Sequence, residues 1–366
     1  PPSAFPTFPA FLKKGMPKNF SRLRREQRDR FRRFYRLRPG RARLGAQVAR
    51  ATERMVNLPI RKLRRAALRA LSSPAFDIRK MYKAVRSVQT AAGRPPRLFY
   101  KPWDHTVRVD GRRVPVRLFA PKTNSRDSIL LFFHGGGWVT GNIDSYDRVC
   151  ANLSNITGRM VVSVDYRLAP EHRFPAAPED CYAVARDIFT DLSLFMMTPR
   201  QITLIGDSAG ANLAAAVSLM ARDRGEFLPE SQILIYPATA ADHGPNSPFP
   251  SVHENGEGYL LTAKHIEEYM SLYISSEQDR CNPYFAPLEA SDLSRQPQTL
   301  ILTAQYDPLR DEGEAYGERL KLAGNRVEMH RIPDALHGFF SRSPRTQAAR
   351  RAYGYINRFL CEVTHT

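Results

Sequence analysis

Thr203-Leu204-Ile205-Gly206-Asp207-Ser208-Ala209-Gly210 runs straight into Ala211-Asn212-Leu213-Ala214-Ala215-Ala216. The pattern reads as a strand, a sharp turn and a helix. Residues 202–205 form a short apolar run with β-branched members, as a strand buried on both faces requires. The Ala-rich run after Gly210 is strong helix material. Between them lies Gly-x-Ser-x-Gly. Gly206 and Gly210 flank a turn so tight that a side chain at either position would meet neighbouring backbone. Ser208 is then presented at the tip, strained, at the positive end of the following helix. This is the signature of a nucleophile elbow.

Working outward, residues 128–133 read as a second buried strand, apolar after Ser128, followed at once by His134-Gly135-Gly136-Gly137-Trp138. Consecutive glycines let backbone N–H groups face a ligand with no Cβ in the way. A loop of this type after an early strand supplies one side of an oxyanion hole, and the N–H of Ala209 supplies the other. An acid should follow the elbow at a strand end, and a base should follow the acid. Strand 299–304 leads to Asp307. Strand 327–332 leads to His337. The order Ser208, Asp307, His337 is that of a hydrolase triad. His337 would take the Ser208 proton, and Asp307 would hold the imidazole in the required tautomer. No metal or cofactor is called for.

Rivals have other readings. Asp311 is expected to cap the following helix, Asp334 to form a turn, and Asp207, beside the nucleophile, to order nearby loops. His243 and His253 precede the acid in chain order. His172 and His265 read as solvated, and His134 as a shaper of the oxyanion loop. Trp138, Asn142 and Tyr146, just after the glycines, are the expected substrate contacts. Phe249, Tyr259, Phe339 and Phe340 are further candidates for an apolar pocket wall.

Five motifs carry a resemblance: His-Gly-Gly-Gly-Trp at 134–138, Asp-Tyr-Arg-Leu-Ala-Pro-Glu at 165–171, Gly-Asp-Ser-Ala-Gly at 206–210, Tyr-Asp-Pro-Leu-Arg-Asp-Glu at 306–312, and His-Gly-Phe at 337–339. In this order they resemble the hormone-sensitive-lipase-like family of α/β-hydrolases, its bacterial esterase branch, over roughly residues 76–362. The resemblance implies an eight-stranded, mostly parallel sheet with helices on both faces and an N-terminal helical cap. It implies a carboxylesterase acting on short-acyl esters, with Ser208, Asp307 and His337 as triad and Gly135, Gly136 and Ala209 as oxyanion donors. Which two of the three glycines face inward stays open on the sequence. It implies that 165–171 braces the site loops, and it makes a homodimer through a sheet edge or the closing helix an expectation.

The rest of the chain sets the organisation. Strands are expected at 106–109, 114–119, 160–164 and 232–236, and helices at 174–192, 209–222, 311–322 and 345–359, a strand–helix alternation that implies a parallel sheet covered on both faces. The net charge of +19 is unevenly placed, because residues 1–100 hold 27 Lys+Arg against 4 Asp+Glu and the remainder balances at −4. The reading divides the chain into a basic extension at 1–58, a helical cap segment at 59–98 and a catalytic domain at 99–366. Amphipathic patterns cover 41–57, 60–71 and 76–88, the last with Ile78, Met81, Tyr82 and Val85 on one face. The Arg-rich front, with interleaved aromatics, is a candidate for an anionic membrane surface. Without a recognisable nucleic-acid-binding fold, nucleic acid is the weaker partner. No run approaches the roughly 18 apolar residues of a membrane span. No secretory pattern opens the chain, and four scattered cysteines read as reduced and at least half-buried, so a cytoplasmic protein, with its basic front as a candidate for contact with the inner membrane surface, is expected.

Overall fold

The computed structural model describes residues 76–93, 103–109, 111–122, 128–191 and 198–365. The basic extension, the helical patterns before residue 76 and any surface they would contact lie outside the described residues. Of the expected cap segment, one helix, α1 (Ile78–Gly93), is described. Ile78 and Val85 face inward, whereas Met81 is 45% exposed, so the expected four-residue apolar face is only partly covered by described residues.

Eight strands form one sheet: β1 (Trp103–Val109), β2 (Arg112–Phe119), β3 (Ile129–Phe133), β4 (Met160–Val164), β5 (Ile202–Asp207), β6 (Ser231–Ile235), β7 (Gln298–Tyr306) and β8 (Val327–Leu336). Their order across the sheet is β1-β2-β4-β3-β5-β6-β7-β8. The pairs β1/β2 and β2/β4 are antiparallel, and the remaining pairs are parallel. Every residue of β3, β4, β5 and β6 is buried, which is why these strands read as mostly apolar runs rather than as a strict polar–apolar alternation, with Ser163, Thr203, Asp207, Ser231 and Gln232 as their polar members.

Helices α2 (Asp147–Thr157), α3 (Ala176–Thr190), α4 (Ala209–Arg224), α5 (Pro250–Asn255), α6 (Ala263–Tyr273), α7 (Arg310–Leu322) and α8 (Gln347–His365) complete the described elements. Helix α4 is buried continuously from Ala209 to Ala221. Its small side chains let it lie close against the sheet. Helix α2 is not among the expected elements. Its Asn, Ser, Thr and Cys residues are poor helix formers, and its buried stripe is short. Gly158, left-handed at φ 69°, is the helix-ending signal that marks it.

Strand β8 runs four residues beyond its expected end and passes through Pro333. Proline is tolerated there because β8 is an edge strand, and the ladder is irregular between Ala304↔Ile332 and Tyr306↔Leu336. Asp334 adopts φ 57° in this irregularity, inside β8 rather than in the turn expected of it. The bulge carries the chain toward His337. Cys150 and Cys181 are buried, but Cys281 and Cys361 are exposed, contrary to expectation.

Candidate active site

The site gathers at the carboxyl ends of the parallel strands. Ser208 joins β5 to α4, Asp307 follows β7, His337 follows β8, and the glycine loop follows β3. Loops at this edge of an α/β sheet converge where strand ends leave a crevice. Ser208 has φ 56° and ψ −122°, an uncommon conformation for a residue with a Cβ. Such strain costs about 1–3 kcal/mol and persists only where surroundings over-determine it. Here the Ser208 N–H donates to the Ile235 carbonyl at 2.8 Å, and the Ser208 carbonyl accepts from Ala211 and Asn212, both at 3.0 Å.

Ser208 Oγ lies 2.9 Å from His337 Nε2, and His337 Nδ1 lies 2.7 Å from Asp307 Oδ2. The Asp307 carboxylate accepts but does not donate, so Nδ1 carries the proton and Nε2 is left to accept from the Ser208 hydroxyl. Asp307 is fully buried, and its second oxygen accepts the Leu309 N–H at 3.0 Å. Asn255 Nδ2, at the end of α5, donates to the Asp307 carbonyl at 3.4 Å. The Tyr236 ring packs 4.7 Å from the His337 ring. Nothing local in the sequence marks Asn255 or Tyr236, because both reach the site from elsewhere in the fold.

The glycine loop differs from expectation at one position. The Gly135 N–H donates to Asp207 Oδ1 at 2.9 Å, so it faces the elbow's carboxylate rather than a substrate oxygen. The Gly136, Gly137 and Ala209 N–H groups make no hydrogen bond among the described residues, and φ values of 127° and 61° at Gly136 and Gly137 need glycine. Gly136 and Gly137 are therefore the candidate inward pair. Asp207 also accepts from the Tyr146 and Tyr236 hydroxyls, each at 3.1 Å. Burial pushes its carboxyl up to about 6, although these hydrogen bonds favour its charged form. Burial pulls His134 down to about 4, so its imidazole is neutral, and Nδ1 lies 2.9 Å from the Gly135 carbonyl. The Tyr166 ring stacks on it at 4.2 Å, and the Tyr166 hydroxyl donates to the His134 carbonyl at 2.6 Å.

The residues expected to contact substrate have partners within the protein. Trp138 is 2% exposed, stacked on Tyr273 at 4.6 Å, with its indole N–H donating to Asn212. Asn142 Oδ1 accepts the Ser145 N–H within a turn, and its amide donates to Thr90. Tyr146 is tied behind the elbow by Asp207. Phe339 and Phe340 are core residues. A large, bulky side chain beside a motif reads the same whether it faces a pocket or the core. Asp311 does not cap its helix but accepts the Ser251 N–H at 2.7 Å, joining α7 to α5. His265 is buried against Phe76, not solvated, whereas His172 is exposed. His243 is buried on Glu312. Among the described residues no cluster of three or more His, Cys, Asp or Glu is arranged to hold a metal ion, and no helix is long and apolar enough to cross a membrane.

A strand–elbow–helix carrying a serine, a histidine and aspartate at the ends of the last two strands, and a glycine loop facing the elbow define an α/β-hydrolase. The profile of the α/β-hydrolase fold family matches residues 130–341. An arylesterase of Saccharolobus solfataricus is 38% identical over 247 residues, 66% of this chain and 78% of the relative. An ethyl acetate hydrolase of Pseudomonas putida is 37% identical over 234 residues, 63% of this chain and 72% of the relative. The solved structure of a Pyrobaculum calidifontis esterase superposes with a TM-score of 0.70 at 36% identity, covering 80% of this chain and 99% of that one. The chain belongs to the α/β-hydrolase fold family, in its hormone-sensitive-lipase-like branch, and is an enzyme of the carboxylic ester hydrolase class.

Proposed function

We propose that the chain is a serine carboxylesterase that cleaves short-acyl esters through an acyl-enzyme on Ser208. The observation that carries this reading is the unbroken line from Ser208 Oγ through His337 to the buried Asp307, at 2.9 and 2.7 Å. Ser208 Oγ attacks the ester carbonyl carbon as its proton passes to His337 Nε2. Negative charge collects on the carbonyl oxygen, facing the Gly136, Gly137 and Ala209 N–H groups. One such donor contributes about 3–4 kcal/mol to the transition state. His337 then returns the proton to the departing alkoxide, leaving the acyl group on Ser208. Water repeats the sequence, with its proton taken by His337, and releases the acid. Asp307 stays ionised throughout and stabilises the imidazolium. The chemistry requires no metal or cofactor. The preference for short acyl groups is supported by the ethyl acetate hydrolase among the relatives.

The test is hydrolysis of p-nitrophenyl esters from acetyl to palmitoyl by the wild type and Ser208→Ala side by side. Turnover should decline with chain length and fall by roughly 10⁴–10⁶ in the variant. A folded Ser208→Ala with wild-type turnover removes Ser208 from the role. A preference for palmitoyl overturns the short-acyl reading alone.

A further inference from the structure

Helix α1 turns one face toward the segment that follows the oxyanion glycines. Arg86, Gln89 and Thr90, at i, i+3 and i+4, share that face. Arg86 Nε donates to the Val139 carbonyl at 2.6 Å, and Nη2 donates to the Ala169 carbonyl at 2.7 Å. Its two terminal nitrogens also grip Glu171, at 3.0 and 2.9 Å. Gln89 accepts the Gly141 N–H at 3.1 Å, and Thr90 accepts from the Asn142 amide at 2.8 Å. The arginine side chain is only 23% exposed, and its planar fork ties two backbone carbonyls and one carboxylate in a way that a lysine, with a single ammonium, does not reproduce.

The glycine loop therefore has two anchors. At its start the Gly135 N–H is held by Asp207, next to the nucleophile. At its end the turn closes through the Val139 and Thr140 N–H groups on the Gly136 carbonyl, at 3.2 and 2.8 Å. The outward carbonyls of that turn have outside partners: Trp138 C=O accepts the Ala169 N–H at 3.0 Å, and Val139 C=O accepts from Arg86. Rotation of the Val139 peptide would carry Gly136 and Gly137 with it. We propose that Arg86 is a positioning residue for the oxyanion hole, and that α1 acts on turnover through the loop it holds rather than only as a cover. The inference rests on the proposed role of Gly136, Gly137 and Ala209 as oxyanion donors.

The experiment compares wild type, Arg86→Ala, Arg86→Lys and Ser208→Ala on p-nitrophenyl acetate, with circular dichroism as the check on folding. A displacement near 1 Å at an active site costs about 10²-fold in rate. Arg86→Ala should lose about 10²-fold in kcat with KM within about twofold, because the donors act on the transition-state oxygen and little on bound substrate. Arg86→Lys should fall in between. Guanidinium ion at millimolar levels should restore part of the kcat of Arg86→Ala, and urea at equal concentration should not. If Arg86→Ala does not fold, Arg86→Lys decides, since it keeps the charge pair with Glu171. A folded Arg86 variant with wild-type kcat, or a loss confined to KM, overturns the proposal. If Ser208→Ala matches the wild type, the serine-esterase reading fails first and this inference goes with it.

Discussion

Replacing Gly210 by alanine places a methyl group where helix α4 meets the end of β3. The new Cβ would stand 2.0 Å from the Phe133 carbonyl oxygen, 2.6 Å from its carbon and 2.7 Å from the His134 carbonyl carbon. Comfortable contact begins near 3.5 Å, so helix and strand must part by about 1.5 Å. The obstacle is backbone, paired in register to β4 on one side and β5 on the other, and cannot swing aside. Overpacking of this kind costs about 1–3 kcal/mol, and here the upper figure applies. The separation opens between Ser208 and Ala209 on one side and the loop from His134 to Gly137 on the other. Those are the two halves of the proposed oxyanion hole, so kcat should fall by about 10²-fold or more. Gly354, exposed in α8 with nothing near its missing Cβ, is the control: alanine there should be neutral or stabilising by up to about 1 kcal/mol. Urea unfolding followed by circular dichroism, together with p-nitrophenyl acetate turnover, reads both effects. A Gly210→Ala protein within about 0.5 kcal/mol and twofold in kcat of the wild type would refute the packing argument.

Asp207→Asn tests the buried carboxylate. Its folded value of about 6 lies above the ordinary 3.8, so the native state holds this proton more tightly than the unfolded chain. The associated stability is complete below about 3.8, is lost as pH rises through about 6, and amounts to about 3 kcal/mol. The gap between wild type and Asp207→Asn in urea unfolding should therefore shift by about 2 kcal/mol in favour of wild type between pH 7.5 and pH 4; a gap independent of pH contradicts the assignment. Glu312→Ala removes the partner of the buried His243 and the acceptor of the Thr239 and Ala240 N–H groups. Chemical denaturation should show a loss of about 3–5 kcal/mol, and a loss under about 1 kcal/mol would count against the pair. Asp307→Asn should keep the geometry but favour the wrong imidazole tautomer, lowering kcat about 10⁴-fold; single-turnover kinetics that match the wild type would exclude that role.

The central sheet was legible because strands buried on both faces must be mostly apolar: β3 is so throughout, and β4, β5 and β6 keep an apolar run interrupted by few polar residues. The elbow was legible because glycine at 206 and 210 answers a close approach that no other residue tolerates. The candidate acid and base followed from chain order and from lying just past strand ends. Helices α2 and α5 were not expected because they are short and carry weak helix formers, whereas α6 went unmarked although Thr262 caps it and Ile266, Met270 and Tyr273 form its buried stripe. The course of β8 through Pro333 was hidden because only the sheet order shows that this strand is an edge.

From local pattern alone the chain determined its strand–helix alternation, its elbow and the three residues of the candidate triad, since each depends on a residue type at a position. Tertiary structure decided how those pieces face one another. Gly135 turns to Asp207, and the Gly136 and Gly137 N–H groups stay without a partner among the described residues. Trp138, Asn142 and Tyr146 go to the core, a turn and the elbow. Arg86, more than fifty positions from Val139 in the chain, braces the glycine loop. The physical reason is the direction of hydrogen bonds: a sequence names the donors and acceptors, but which of them meet depends on backbone orientation and on neighbours brought together only when the sheet is assembled.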